Sequence, residues 1–261
     1  FNAVAYATEL PDSPGRFLRT HSEKNTKQHR AFLDQLTESQ RNFYVDWFKT
    51  LPLWLTLPNP DDAILGGTSA RVVHACWHAE SISAVEDACG GNWIGKPDQW
   101  ILANDRVSEL YRAVEVLLKG PEIPVKPYGL EGFRDKDGHP REEARLCWWK
   151  GDSKRVDELL EHYKSDPKAA EIVICDDDAA YSYLYRETVP VFYGHYWRKD
   201  IPEHTDDFTD YTACVDFSAV VSRNASAGTR APTLVAYRWE GEPTIQAQNY
   251  FPRTAARKAS V

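Results

Sequence analysis

The chain has 261 residues, 42% of them hydrophobic and nine of them Trp, which is enough apolar side chain for a packed core and excludes an intrinsically disordered polymer. Thirty-nine acids against 31 bases leave a net charge of −8, which repels a phosphate backbone and argues against a nucleic-acid-binding face. No apolar run approaches the length of a membrane span and no signal-peptide pattern is present, so a cytoplasmic protein with no membrane contact is expected.

In chain order, residues 1–8 read as the end of a helix, stopped by Pro11 and the Pro14-Gly15 turn. A polar helix follows over about 23–36, with Phe32, Leu33 and Leu36 as its apolar positions. Thr37 and Gln40 form a capping box for a second helix through Phe48, whose aromatics Phe43, Trp47 and Phe48 are assigned to packing. Residues 51–57 and 71–73 read as a hairpin around a surface loop, Pro58-Asn59-Pro60-Asp61-Asp62 to Gly66-Gly67. A short helix covers 81–89, and Asn104 or Asp105 caps a longer one through Lys119, with Val107, Leu110, Tyr111, Val114, Leu117 and Leu118 at helical spacing.

Residues 120–140 are turn-rich. Asp135-Lys136-Asp137-Gly138 is a turn and lacks the acidic spacing and closing Glu of a calcium loop. Residues 145–149 read as a strand with Trp148 and Trp149 in the core, 153–163 as an amphipathic helix, and 171–175 as a strand ending in the solvated acids Asp176-Asp177-Asp178. Strands follow at 189–193, 212–218 and 233–239, the last two joined by a polar loop over 222–232, and the basic tail from Pro252 is expected to fray. The five cysteines show no paired spacing, and Cys76, Cys147, Cys175 and Cys214 sit in apolar contexts, as reduced core thiols do. The pattern predicts one α/β domain over 1–261, with a largely helical insertion or cap around 90–165.

Two stretches share one design. Arg71-Val72-Val73 runs into His74-Ala75-Cys76-Trp77-His78, and Pro190-Val191-Phe192-Tyr193 runs into Gly194-His195-Tyr196-Trp197. Each is a buried strand that delivers an imidazole at its C-terminal edge, where ligands gather in open α/β sheets. Gly194 is expected to adopt a backbone angle that other residues avoid and to let another group approach closely. An isolated histidine of this kind is more often a core residue; two in the same context point to one shared site. His78 follows His74 by four, but the preceding strand argues against a continuous helix and places it in a loop near the mouth. Asp216 is a candidate to accept a ring N–H from a ligating histidine, against the ordinary reading of a strand Asp as a backbone cap. Tyr196 and Trp197 either wall the pocket or only pack. Arg145, Arg198 and Arg238 could each bind a phosphate, and nothing in the sequence selects among them. The remaining histidines lie in polar segments and are given no role.

The two histidine segments are joined by Trp47-Phe48-Lys49-Thr50-Leu51-Pro52-Leu53-Trp54-Leu55, Cys214-Val215-Asp216-Phe217-Ser218 and Leu234-Val235-Ala236-Tyr237-Arg238-Trp239. As an ordered set they resemble the calcineurin-like metallophosphoesterases, in the bacterial branch similar to serine/threonine protein phosphatases and symmetrical diadenosine tetraphosphatases. The resemblance implies a layered β-sandwich flanked by helices, with 212–218 and 233–239 as an antiparallel pair beside the site. It implies a hydrolase with two divalent transition metals, Mn foremost and Fe, Co, Ni or Zn also suited, one of them ligated by His74 and His195. Substrates implied are a small phosphate ester, a dinucleoside polyphosphate or a phosphoprotein.

The family's Asp-x-His, Gly-Asp-x-x-Asp and Gly-Asn-His-Glu motifs do not occur in the sequence. Phe1-Asn2-Ala3-Val4-Ala5-Tyr6-Ala7-Thr8 resembles the helix that follows the last of them, and the chain opens on Phe1 with no Met anywhere. The sequence is therefore expected to be the C-terminal part of such a domain, with no catalytic residue of its own and a complementing N-terminal segment supplying the other ligands. The alternative is a catalytically incomplete relative acting as a binding module. A mononuclear zinc site using His74, His78 and His195 lacks an evident fourth ligand.

Overall fold

The computed structural model describes residues 1–59, 69–135, 138–198, 202–217, 219 and 233–254. The chain is mixed α/β and divides into two compact units, one formed by Phe1–Leu53 with Ala79–Glu115 and the other by Trp54–His78 with Val116–Val261. Among the described residues, no helix is long and apolar enough to cross a membrane.

In the first unit, α1 (Asn2–Ala7) buries Val4 and Ala5 and packs against α3. A short hairpin, β1 (Glu9–Leu10) and β2 (Ser13–Phe17), turns through Gly15 at φ 79°. Ser22 caps α2 (Glu23–Gln35), and the capping box of Thr37 and Gln40 opens α3 (Glu38–Lys49) as the sequence predicts. The aromatics of α3 differ from expectation. Val45 is its one buried residue, while Phe43 and Trp47 are 69% and 50% exposed. They lie one turn apart on a different face from Val45 and meet neighbouring rings, Phe43–Tyr44 at 5.5 Å and Trp47–Phe48 at 5.4 Å. Helices α4 (Ala79–Cys89) and α5 (Pro97–Leu102) follow, then α6 (Glu109–Lys119), whose last turn belongs to the second unit. The sequence starts α6 at residue 104 or 105; instead Asn104 and Asp105 close tight turns on Ile101 and Leu102, and Val107 is 79% exposed.

The second unit is built on a four-stranded sheet, in the order β10-β9-β4-β3. Strand β3 (Trp54–Leu57) pairs antiparallel with β4 (Ala70–Val73), as the expected hairpin requires. Strand β4 then pairs parallel with β9 (Val191–Tyr193), and β9 parallel with β10 (Thr212–Cys214). Two small antiparallel pairs lie outside this sheet: β5 (Glu122–Pro124) with β8 (Glu143–Arg145), and β6 (Phe133–Arg134) with β7 (Pro140–Arg141). The helical content expected over 90–165 therefore stops at Lys119 apart from short turns.

Three further expectations are corrected. Residues 153–163 form no continuous helix: α7 (Val156–Leu159) is a single turn, because Leu160 goes extended to bridge Leu146 and the Leu159 carbonyl accepts from Cys147 N–H at 2.7 Å. Residues 171–175 form no strand; α8 (Pro167–Ala170), capped by Asp166, runs to their edge and only Val173 makes a bridge. Strand β11 (Thr233–Tyr237) pairs with β12 (Tyr250–Thr254), not with β10, so the segment from Pro252 to Thr254 is ladder rather than frayed tail. The expected loops over 60–68 and 222–232, part of the 135–138 turn, Ser218 and the last seven residues lie outside the described residues.

Phe192 and Ala213 of the sheet join Phe208, Phe217, Val235 and Tyr250 in one buried cluster. Trp148, Trp149 and Tyr193 form another, with ring centroids 4.8 and 5.3 Å from Tyr193, which is the packing role expected of the Trp pair. All five cysteines are free; Cys76, Cys147 and Cys214 are buried, but Cys175 is exposed because the strand expected to carry it does not form.

Candidate functional site

The three parallel strands end side by side. The register pairs Tyr193 with Cys214 and Val72 with Phe192, so the residues after each strand come to one edge: His74 after β4, Gly194 and His195 after β9, Asp216 just beyond β10. Backbone bonds lock this edge. Gly194 N–H donates to the His74 carbonyl at 3.0 Å, Val215 N–H to the Tyr193 carbonyl at 2.8 Å, and Ala75 N–H to the Leu117 carbonyl at 2.9 Å. The indole of Trp148 donates to the Ala75 carbonyl at 2.9 Å, tying the segment after His74 to the buried aromatic cluster. The sequence placed Trp148 in the core but did not reveal this second duty.

The two imidazoles meet, with ring centroids 5.4 Å apart and planes inclined at 54°. Imidazoles that share one metal at about 2.1 Å from each nitrogen have centroids roughly 4.5–5.5 Å apart at adjacent coordination positions. The pair therefore fits as two ligands of a single divalent ion. Burial is the main force on each ring and favours the neutral, ligating form. The pKa of His195 is pushed down to about 4 by burial first, then by the Arg145 guanidinium, by His74 whenever that ring is protonated, and by Lys119, with Asp216 opposing. That of His74 is lowered, again chiefly by burial, with Asp216 opposing, although solvent still reaches the ring. Among the described residues, no group of three or more His, Cys, Asp or Glu side chains is close enough to hold a metal ion by itself.

The turn after β9 departs from the sequence reading in an informative way. Gly194 does supply a close approach: a Cβ there would lie 3.3 Å from Asp216 Cβ and 3.6 Å from the His74 carbonyl oxygen. The left-handed backbone, however, falls on His195 at φ 72° and on Trp197 at φ 47°. Both are side-chain-bearing residues, for which this region is strained. Asp216 holds the turn: its carboxylate accepts His195 N–H at 3.1 Å and its carbonyl accepts Arg198 N–H at 2.8 Å. It thus acts on the backbone of His195.

Tyr196 is buried and Trp197 is 62% exposed, and both line a cleft of about 320 Å³ with Glu161, Asp206 and Asp207. His78, expected near the mouth, is buried with its ring 4.6 Å from that of Tyr183. The three arginines are also sorted. Arg198 is buried between Glu161 at 3.1 Å and Asp207 at 3.3 Å, over the face of Trp149. Arg238 pairs with Glu240 at 2.8 Å. Arg145 alone acts on His195. Its guanidinium lies 5.5 Å from the Tyr196 ring centre, and its nearest carboxylate, Glu122, is 3.9 Å away. The signal for Arg145 was absent from local sequence because its place depends on the β5–β8 pairing.

No known protein family matches the chain, and neither a curated protein nor a solved structure does. The likeness to metallophosphoesterases rests on the quoted segments.

Proposed function

We propose that the protein is a metal-dependent phosphoesterase of metallophosphoesterase-type layered architecture, which hydrolyses a phosphate ester or phosphoanhydride with metal-activated water. The observation that carries this reading is the pair of neutral imidazoles, His74 and His195, at the C-terminal ends of adjacent parallel strands with centroids 5.4 Å apart. These two residues would hold one divalent transition metal, with Mn²⁺ foremost and Fe, Co, Ni or Zn also suited to imidazole. On this reading the remaining ligands, and those of a second metal, come from protein outside the 261 residues. When bound, such metals neutralise phosphoryl oxygens and lower the pKa of bound water.

The chain's own residues contribute binding and position. Asp216 and the left-handed turn fix where the His195 ring sits. Arg145 and Lys119 add positive charge beside that ring in an otherwise acidic protein, which favours an anionic substrate. Arg198, held by two carboxylates, is the less available phosphate ligand.

The second reading is a catalytically incomplete relative that binds a ligand or partner. One experiment separates the two. The protein, together with the segment that supplies the remaining ligands on the first reading, is loaded with Mn²⁺, its metal content is measured, and hydrolysis of p-nitrophenyl phosphate and diadenosine tetraphosphate is followed, with His74→Asn and His195→Asn as controls. Metal retention and turnover that both variants abolish support the enzyme. Retention without turnover supports the binding module. No retention, and retention that both variants leave intact, each overturn the metal site.

A further inference from the structure

A second cleft of the second unit lies away from the histidine edge. It has a volume of about 590 Å³ and is lined by Glu187 and Tyr211, which lie ahead of β9 and β10, at the opposite ends of those strands from His195 and Asp216. That volume falls within the roughly 300–1,000 Å³ range of small-molecule sites. The half-buried ring of Tyr211 is its accessible aromatic wall, over a base to which the buried Trp149 and Tyr185 contribute, and Gly151 keeps it open to the backbone: a Cβ there would collide with the Tyr185 carbonyl oxygen.

The charges around it are unequal in availability. Its two permanent cations are engaged by groups outside the lining. Lys150 is only 13% exposed and pairs with Asp206 at 3.0 Å, and Arg186 stacks 3.4 Å over the Tyr181 ring and donates to that residue's carbonyl. Of its carboxylates, Glu187 is paired with Arg71 at 2.7 Å, and Glu158 accepts from Ser153 Oγ. Asp152 has no cationic partner among the described residues, and Asp210 faces only His204, at 3.6 Å. A ligand entering this cleft therefore meets the Tyr211 ring and two carboxylates with no permanent cation fixed to them among the described residues, which is a pattern that recognises ammonium groups. The carboxylates are too dispersed to close on a metal ion, since no group of three candidate ligands is drawn together. An extended organic cation suits such a lining better than a metal ion, with its hydrocarbon against Tyr211.

We propose that this cleft is a second ligand site, separate from the histidine edge, that binds a small aliphatic diamine or polyamine with its ammonium groups at Asp152 and Asp210. The test is calorimetric titration of the protein with 1,4-diaminobutane and spermidine, alongside Mg²⁺ and butyrate, and repetition with Asp152→Asn, Asp210→Asn and Tyr211→Ala. Both aspartates are exposed, so their variants keep the fold, which an unchanged thermal midpoint verifies. The expected result is saturable binding of one amine per chain, weakened about three- to fivefold by each Asp variant and further by added salt, with no heat from butyrate. Absence of saturable amine binding overturns the proposal. So does binding of several amines per chain that the variants leave unchanged, which is loose attraction to an acidic surface. Equal displacement by Mg²⁺ at matched concentration overturns it as well.

Discussion

The left-handed backbone at His195 makes a prediction that runs against the usual order of substitutions. At an ordinary position, replacing a residue by Gly leaves a protein less stable than replacing it by Ala, by about 0.4–1 kcal/mol, because Gly frees the unfolded chain. At φ 72° the order should reverse. An L-residue with a Cβ carries a cost of about 1–2 kcal/mol in this region, which Gly does not. Both His195→Gly and His195→Ala delete the imidazole and keep the backbone N–H that donates to Asp216, so those contributions cancel between them. Subtracting the unfolded-state term leaves Gly ahead by roughly 0.5–1 kcal/mol. In a chain of this size that is a thermal midpoint about 1–4 °C higher for the Gly variant. The assay is paired urea and thermal unfolding of the two variants, with Lys27→Gly and Lys27→Ala on the exposed face of α2 as the ordinary control, where Ala should win by about 1 kcal/mol. If His195→Ala proves as stable as His195→Gly, the turn is not strained and the argument that the fold holds this imidazole against its backbone preference fails.

Other consequences are simpler to state. Gly120 is at φ 80° and a Cβ there would sit 2.0 Å from the Tyr196 hydroxyl, so Gly120→Ala should cost about 2–4 kcal/mol, and adding Tyr196→Phe should recover part of it in urea unfolding. Arg198→Met leaves the Asp207 carboxylate, only 10% exposed, without its cation though still bonded by Glu203 N–H at 3.0 Å, and removes the ion pair with Glu161; a loss of about 2–4 kcal/mol is expected, and one below about 0.5 kcal/mol would show that the pair does not brace the turn. Because folding holds His195 near about 4 against an unfolded value of 6.5, the unfolded chain binds the extra proton between those values. Stability should therefore fall as pH drops from about 6.5 towards about 4 and be indifferent to this group above that window. The part due to His195 is at most about 3 kcal/mol, reduced by the solvent that reaches the ring, and comparing urea midpoints at about pH 7 and about pH 4.5 with those of His195→Asn isolates it.

What the sequence made legible was local. A β-branched or apolar run ending in histidine places that histidine at a strand end, and this held for His74 and His195; the Thr37 and Gln40 spacing gave the cap of α3; two apolar runs around a turn-rich loop gave the β3–β4 hairpin. What it hid depended on distant partners. The run over 212–218 has the apolar content of a strand, but only Thr212–Cys214 finds a neighbour, and that neighbour is β9 in parallel rather than β11 in a hairpin. The helical period over 153–163 is overridden because Leu160, whose N–H still closes the turn on the Val156 carbonyl at 2.9 Å, leaves that turn extended to bridge Leu146. Pro252 signals an end to regular structure, yet an edge strand tolerates proline, and β12 forms through it.

The same contrast explains the site. Sequence identified the two ligand candidates because their context is written in adjacent residues, and it read Gly194 as the residue that bends the chain because glycine is the usual occupant of such angles. In the structure glycine instead provides room for Asp216, and the bend is imposed on His195 and Trp197 by bonds from Asp216 at one end and the buried Arg198 at the other. A strained histidine fixed from both sides, facing a second neutral imidazole across 5.4 Å, is costly to build by chance when a glycine would relieve it. That cost supports the proposal that the pair is a site, and it is the reason His195→Gly should be more stable than His195→Ala while losing whatever the pair binds.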